Sequence, residues 1–386
     1  MVINPVYLML YTYLLANTYA FLNLQLNKGF FAFDEFYQIS QISSLVVYVY
    51  QLLFLYFIFK FFRQHSFKNY KIRTLNNRWG VGLIFITILF FLFNRITGAG
   101  LAGTEFSFNT SNPINIFFVL AQPDLLFLLI APFLASSRLF WVATIIYFFS
   151  MLSRGWMGSV LIVFLIYLIR YYPVHVKLKS LLYFISLALI VFLLLPILDA
   201  LKWGMRLGLS VSDIFKQVFN SNYWELLFTV LDSVVARFQN INYAAYTLEN
   251  REFFLNSLLN GDFSWFFQNG IFYSIFCKIS ECPIDFNVFA AEKIYGAVGL
   301  SWNIDPGLSG WSSIFGFFSI LFIGFSAFFL WISFHFFAKV YGNKGILLIS
   351  VFSLLYFYHG WLNAFFNIII YGFFLYFLFR LKSFKF

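Results

Sequence analysis

The chain has 386 residues, of which 62% are hydrophobic and 10% charged, and its formal net charge is +10. Soluble domains carry about 25% charged residues, so this composition excludes an ordinary soluble globular domain and points to an integral membrane protein. The 60 phenylalanines are read as lipid-facing bulk.

A membrane-crossing helix needs about 20 apolar residues. In chain order the apolar runs fall at 5–26, 43–62, 79–97, 114–135, 139–153, 156–171, 179–199, 311–337, 346–360 and 362–380. These runs are solidly apolar and do not alternate, so they predict helices and exclude barrel strands. No Lys or Arg precedes the first run, and no small-residue cleavage site follows it, which predicts a retained first helix. The fifth and sixth runs are short and meet at a sharp turn, Ser153-Arg154-Gly155. The fold class expected is an all-α polytopic membrane protein of about ten transmembrane helices with one large loop. It divides into an N-terminal bundle of seven spans (1–200), the loop (201–310) and a C-terminal bundle of three spans (311–386).

Charge placement orients the chain. With the N-terminus inside, the inner loops carry fifteen basic residues and no acidic one, Arg170 among them. This pattern accounts for the net charge without nucleic acid, places both ends in the cytoplasm and makes the densest basic run, Lys60 to Arg78, an anchor for anionic lipid. The long loop is then exoplasmic, or periplasmic in a bacterium. It carries ten of the fifteen acidic residues. Apolar positions recur at three- and four-residue intervals from Tyr223 to Leu248 and predict a helix, whereas 250–310 reads as irregular. Cys277 and Cys282 are five apart in an oxidising compartment, so a local disulfide and two buried thiols are both open readings.

Arg154 is the first candidate for chemistry. A guanidinium near hydrocarbon depth is costly and usually faces a polar cavity, and its planar fork suits a phosphate. Its neighbours in sequence are apolar, with no acidic partner adjacent, and the competing reading is a snorkelling anchor. Arg237 and Arg251 are further diphosphate-binding candidates. On one straight helix they would stand about 21 Å apart, so either the chain turns near Asn250 or only one of them binds. Arg237 is favoured, although a salt bridge with Asp232 or Glu249 explains it equally well. Asp305, before a Pro-Gly turn, is a candidate general base or a turn-forming residue, and His359 is its rival or an interfacial histidine. Asp124, within a span, either pairs with an inward Arg or marks a broken helix beside a cavity; Asp232 is a further cavity candidate. Trp224, Trp265, Trp302 and Trp311 suit stacking on sugars or anchoring at the interface. Motifs for zinc proteolysis, serine hydrolysis and ATP-driven transport are missing.

About ten spans, Ser153-Arg154-Gly155 between two short spans, one large loop in the second half, and the segment from Asn303 to Gly324 with Gly307, Gly310 and Gly316 resemble the O-antigen polymerases. These are the Wzy-type oligosaccharide repeat unit polymerases, and the O-antigen ligases share their plan. The resemblance covers most of the chain as architecture and implies a GT-C-like membrane glycosyltransferase of the bacterial inner membrane. The implied substrates are glycans on undecaprenyl diphosphate, with no cofactor or metal. The implied partners are membrane lipids, a chain-length regulator and the flippase of the same pathway. Arg154 and Arg237 would meet the diphosphate, and Asp305 or His359 would take the acceptor proton. Ligases carry a His just before the span that follows the loop. Here Asp305-Pro306 stands there, which favours polymerase over ligase.

Two other classes predict different features. A lipid-linked glycan flippase would have more spans and no single large outer domain. A membrane O-acyltransferase would want its base at the inner face, where this chain offers only basic residues, His65 and His175.

Overall fold

The computed structural model describes residues 2–32, 35–66, 70, 74–98, 113–156, 158–175, 178–206, 211–220, 222–277, 280–296 and 304–381. In chain order the elements are β1 (Val2–Ile3), α1 (Pro5–Asn27), β2 (Gly29–Ala32), β3 (Glu35–Gln38), α2 (Gln41–Ser66) and α3 (Asn77–Thr97). Then come α4 (Pro113–Ala121), α5 (Pro123–Ile130), α6 (Ser137–Leu152), α7 (Ser159–Tyr171), β4 (Val174–His175), α8 (Leu178–Arg206) and α9 (Val211–Asn220). The remainder are α10 (Tyr223–Ala236), α11 (Ile241–Glu249), α12 (Arg251–Asn260), α13 (Ile271–Phe276), α14 (Phe286–Tyr295), α15 (Gly307–Phe315), α16 (Ser319–Phe352) and α17 (Leu362–Leu381). The chain is therefore an all-α protein. Among the described residues, four helical runs are long and apolar enough to cross a membrane: Gln41–Ser66, Asn77–Thr97, Pro113–Phe133 and Gly307–Tyr358. Several apolar helices are shorter.

Local chemistry fixes several boundaries. Asn76 caps α3, its side-chain oxygen accepting from the Arg78 N–H at 3.1 Å, and Gly98 ends it in the left-handed region. Ser136 caps α6 by accepting from the Leu139 N–H. The run 113–133 is broken where Gln122 takes a φ of 40° ahead of Pro123. The run Gly307–Tyr358 is interrupted at Gly316 and Gly342, both with positive φ. The rings of Phe329 and Phe357 lie 5.9 Å apart. On a straight helix they would be about 42 Å apart, so the chain doubles back at Gly342 and makes two antiparallel limbs.

Two compact units emerge, one of Met1–Pro5 with Arg73–Val235, the other of Val6–Ile72 with Ala236–Phe386. In the first, α3 packs on α5 and α6. Gly80 allows close approach, because a Cβ there would lie 2.9 Å from Leu139 Cδ1. Phe127 stacks on Tyr147 at 4.0 Å. Arg170, expected as a solvated inner-loop cation, is instead buried. Its guanidinium lies over the Phe140 ring and donates to the carbonyls of Ala131 and Leu134. The broken end of the neighbouring span exposes these carbonyls; the Ala131 carbonyl also accepts from the Leu134 N–H, and Arg170 adds a donor to each.

In the second unit, α2 packs on α16, and α11 on α15. The long loop is more ordered than the sequence suggests. The predicted helix over 223–248 breaks at Arg237–Asn240 into α10 and α11, and α12, α13 and α14 occupy the stretch read as irregular. Phe263, Phe286, Phe289 and Trp311 form its core. Cys277 and Cys282 are joined in a disulfide. The β2–β3 hairpin is held to the loop by Tyr37, whose hydroxyl donates to the Ile294 carbonyl at 2.6 Å.

Candidate functional site

Two glycine turns bring the central pair of the second unit together. Gly307 follows Asp305-Pro306 at the start of α15, and Gly360 follows His359 ahead of α17; their φ values are 67° and 95°. A Cβ on Gly360 would lie 3.0 Å from the Gly307 Cα, so the two backbones touch at positions where only glycine fits. With the turns in contact, His359 Nε2 lies 3.0 Å from Asp305 Oδ2. Trp361 Nε1 and Asn287 Nδ2 donate to Asp305 Oδ1 at 2.5 and 3.2 Å.

Proton accounting assigns the roles. A carboxylate only accepts, so His359 Nε2 carries the hydrogen, and in the neutral tautomer that this bond selects the lone pair lies on Nδ1. That nitrogen is buried without a hydrogen-bond partner among the described residues, as is the Tyr358 hydroxyl. Asp305, with three donors on its two oxygens, is an anchor that orients the imidazole. His359 holds the free lone pair. The two residues read from sequence as rival bases therefore form one pair.

A buried amide network fixes this arrangement from α1. Asn17 donates to the Tyr13 and Phe238 carbonyls and accepts from the Asn240 N–H. Asn240 Nδ2 in turn donates to the His359 carbonyl at 3.1 Å. Tyr13 closes the other side, its ring 5.9 Å from that of His359. Arg237 stands three residues before Asn240, within about 11 Å of chain. It is exposed and makes no hydrogen bond or ion pair among the described residues.

Nearby loop groups are held protonated or charged by their surroundings. Tyr243 and Tyr295 share a hydrogen bond of 2.5 Å, and burial pushes both phenols up. For Glu249, burial pushes upward, but donors from Ser40 and Ser43 prevail and hold the carboxyl below its ordinary value.

Arg251 is already engaged. Its guanidinium covers Gly316 and its Nε donates to the Ile314 carbonyl at 3.2 Å, finishing the C-terminal end of α15. The chain does turn at Asn250, between α11 and α12.

In the first unit, Arg154 has the acidic partner that its sequence neighbours lack. Nη2 reaches both oxygens of Asp124, at 2.9 and 2.7 Å, while Nε donates to the Ser150 carbonyl. The Phe90 ring lies against the guanidinium. Gly155, with φ 74°, makes the turn that aims Arg154 inward. Asp124 also sits at the break after Gln122, so it both pairs with an Arg and marks a broken helix. A phosphate at Arg154 would compete with this carboxylate.

Asp232 lies on α10, with its side chain outside those described, and Trp302 is outside the described residues. Trp311 is buried in the loop core, Trp224 is exposed, and Trp265 stacks near Phe315. Among the described residues no group of three or more His, Cys, Asp or Glu gathers that could hold a metal ion. Sequence reasoning passed over Trp361, Asn287, Asn17 and Asn240. The usable signals were a Gly-Trp directly after His359 and an Asn within the apolar first span. No protein-family model, curated protein or solved structure matches the chain.

Proposed function

We propose that the chain is a membrane glycosyltransferase that polymerises polyprenyl-diphosphate-linked oligosaccharide repeat units, as in O-antigen assembly, using the Asp305–His359 pair. Ten crossings with both ends cytoplasmic would place this pair at the periplasmic face of a bacterial inner membrane. Supporting that placement, the β2–β3 hairpin between the first two apolar helices and the long loop share one end of the second unit. Tyr70 and Asn343, next to Lys344, meet near the far end of α2.

The observation that carries the proposal is the unpaired Nδ1 of His359, whose ring is held through Nε2 by Asp305. The acceptor hydroxyl gives its proton to Nδ1. Its oxygen bonds to the anomeric carbon of the donor glycan. The bond from that carbon to the diphosphate breaks, the electron pair leaves with the diphosphate, and Arg237 meets the growing charge. Asp305 keeps hydrogen on Nε2 before the transfer and stabilises the imidazolium after it.

One observation favours the ligase as a second reading. The ligases carry a His just before the span that follows the loop, and here His359 fills that position in space from another segment, against Asp305. A gene deletion separates the two. Loss of polymerase leaves lipopolysaccharide with single repeat units, and loss of ligase leaves it with none. An unchanged ladder would end both readings. In the polymerase, Asp305→Asn offers the imidazole an amide in place of an obligate acceptor, and chain growth is expected to fall by about 10²–10³-fold; normal growth would remove Asp305 from the mechanism.

A further inference from the structure

The loop segment from Trp265 to Phe276 shows an apolar face that neither the fold nor the proposed chemistry uses. Phe267 is 58% exposed, and on α13 Phe272 and Phe276 are 61% and 56% exposed, whereas Ile271 is buried. Exposed aromatics at this density in a water-facing loop would be costly, at about 25 cal/mol per Å² of apolar surface.

The depth of the segment against its neighbours identifies what covers it. The Ile271 N–H donates to Asn367 Oδ1 at 2.6 Å, and Gly270 packs on Phe366 and Ile370. These residues of α17 lie four to eight positions after its first residue, Leu362, so about 6–12 Å along the helix. On the other side, Phe266 meets Phe322 and Phe325 at 4.9 and 5.5 Å, within the first turns of α16. The segment therefore lies alongside the outer turns of two apolar helices. The exposed faces of Phe317, Phe318, Ile320 and Leu321, at the start of α16, continue the apolar surface at the same level. The Cys277–Cys282 disulfide closes the segment, with exposed Ser280 and Glu281 at its tip.

We propose that Trp265–Phe276 is a foot of the loop inserted into one leaflet of the bilayer, with Phe267, Phe272, Ile275 and Phe276 in contact with phospholipid acyl chains. The foot ties the depth of the loop to the membrane surface, whatever reaction the loop covers. In α13 the Ile271 N–H is taken by Asn367, the Ser274 N–H by the Gly270 carbonyl and the Cys277 N–H by the Tyr273 carbonyl, which reduces the polar backbone left to meet lipid.

The test uses the full chain, reconstituted in phosphatidylcholine vesicles. Its only two cysteines are joined to each other, so a nitroxide attaches to an introduced cysteine alone. Phe267→Cys and Phe272→Cys are labelled, with Asn260→Cys on exposed α12 as the aqueous reference. Ile275→Cys gives a second position on the same face should Phe272→Cys fail to fold. Collision rates are measured with oxygen, which concentrates in acyl chains, and with a water-soluble nickel chelate. The oxygen-to-nickel ratio at 267 and 272 is expected to be several-fold above that at 260. A ratio equal to the reference would put the face in water, and low access to both reagents would put it under another protein. Either result overturns the proposal.

Discussion

The Arg154–Asp124 and Asp305–His359 pairs look alike on paper, each a carboxylate bonded to a nitrogenous side chain far away in sequence. They do different things. The guanidinium of Arg154 does not titrate, and Asp124 and Ser150 engage it on two of its nitrogens. That pair satisfies a charge within an apolar bundle and has no proton to move. The imidazole of His359 has two distinct nitrogens, and Asp305 engages only one, leaving a lone pair. The difference teaches that a buried cation in an apolar span is a weaker sign of chemistry than a buried base with one side unused.

Substitutions that separate activity from stability sharpen this contrast. The largest expected effect is at the base. His359→Ala should lower chain growth by about 10²–10⁴-fold, the usual worth of a positioned proton acceptor. Because the ring is buried and its Nε2 is bonded to Asp305, the change should also cost about 1–3 kcal/mol of stability, so chain growth is compared at equal amounts of folded protein. A stable protein with wild-type polymer length would deny His359 its role.

The converse is expected in the other unit. Asp124→Ala strands the Arg154 charge and should destabilise that unit by about 2–3 kcal/mol, read as a lowered melting temperature. Arg154→Met on the same background should recover part of the loss, since an apolar side chain replaces the orphaned charge. If instead Asp124→Ala leaves stability intact and abolishes polymer, Arg154 belongs to the reaction and the contrast drawn here fails.

The smallest effect concerns Glu249, which accepts from the Ser40 N–H at 2.8 Å at the start of α2. Its carboxyl is held below the ordinary 4.5, so its contribution is present above that pH and is lost as pH falls through the folded value. Glu249→Gln should lower the melting temperature slightly at neutral pH, where the carboxylate contributes, and flatten the acid limb of the profile. A steepened acid limb would contradict this sign.

Some of this was readable from sequence because it is local. Apolar run length predicts helices wherever the backbone must satisfy itself, and the runs over 5–26, 43–62 and 79–97 correspond closely to α1, α2 and α3. The turn at Ser153-Arg154-Gly155 also followed from residue type, and a broken helix at Asp124 was one of two readings open there. Where local cues were weak, the reading failed. The three- and four-residue periodicity from Tyr223 to Leu248 continues across a helix break at Arg237–Asn240, which Asn17 stabilises from α1.

What tertiary structure alone decided is who meets whom. Arg154 finds Asp124 across 30 residues, and His359 finds Asp305 across 54. A sequence lists donors and acceptors, but pairing depends on which turns come into contact, and here that depends on Gly307 and Gly360 touching backbone to backbone. The same contact turned two rival bases into a base and its orienting partner. Sequence by itself determined the helices and most of the residues worth asking about. Distance and direction, set only when those helices packed, decided what each of them can do.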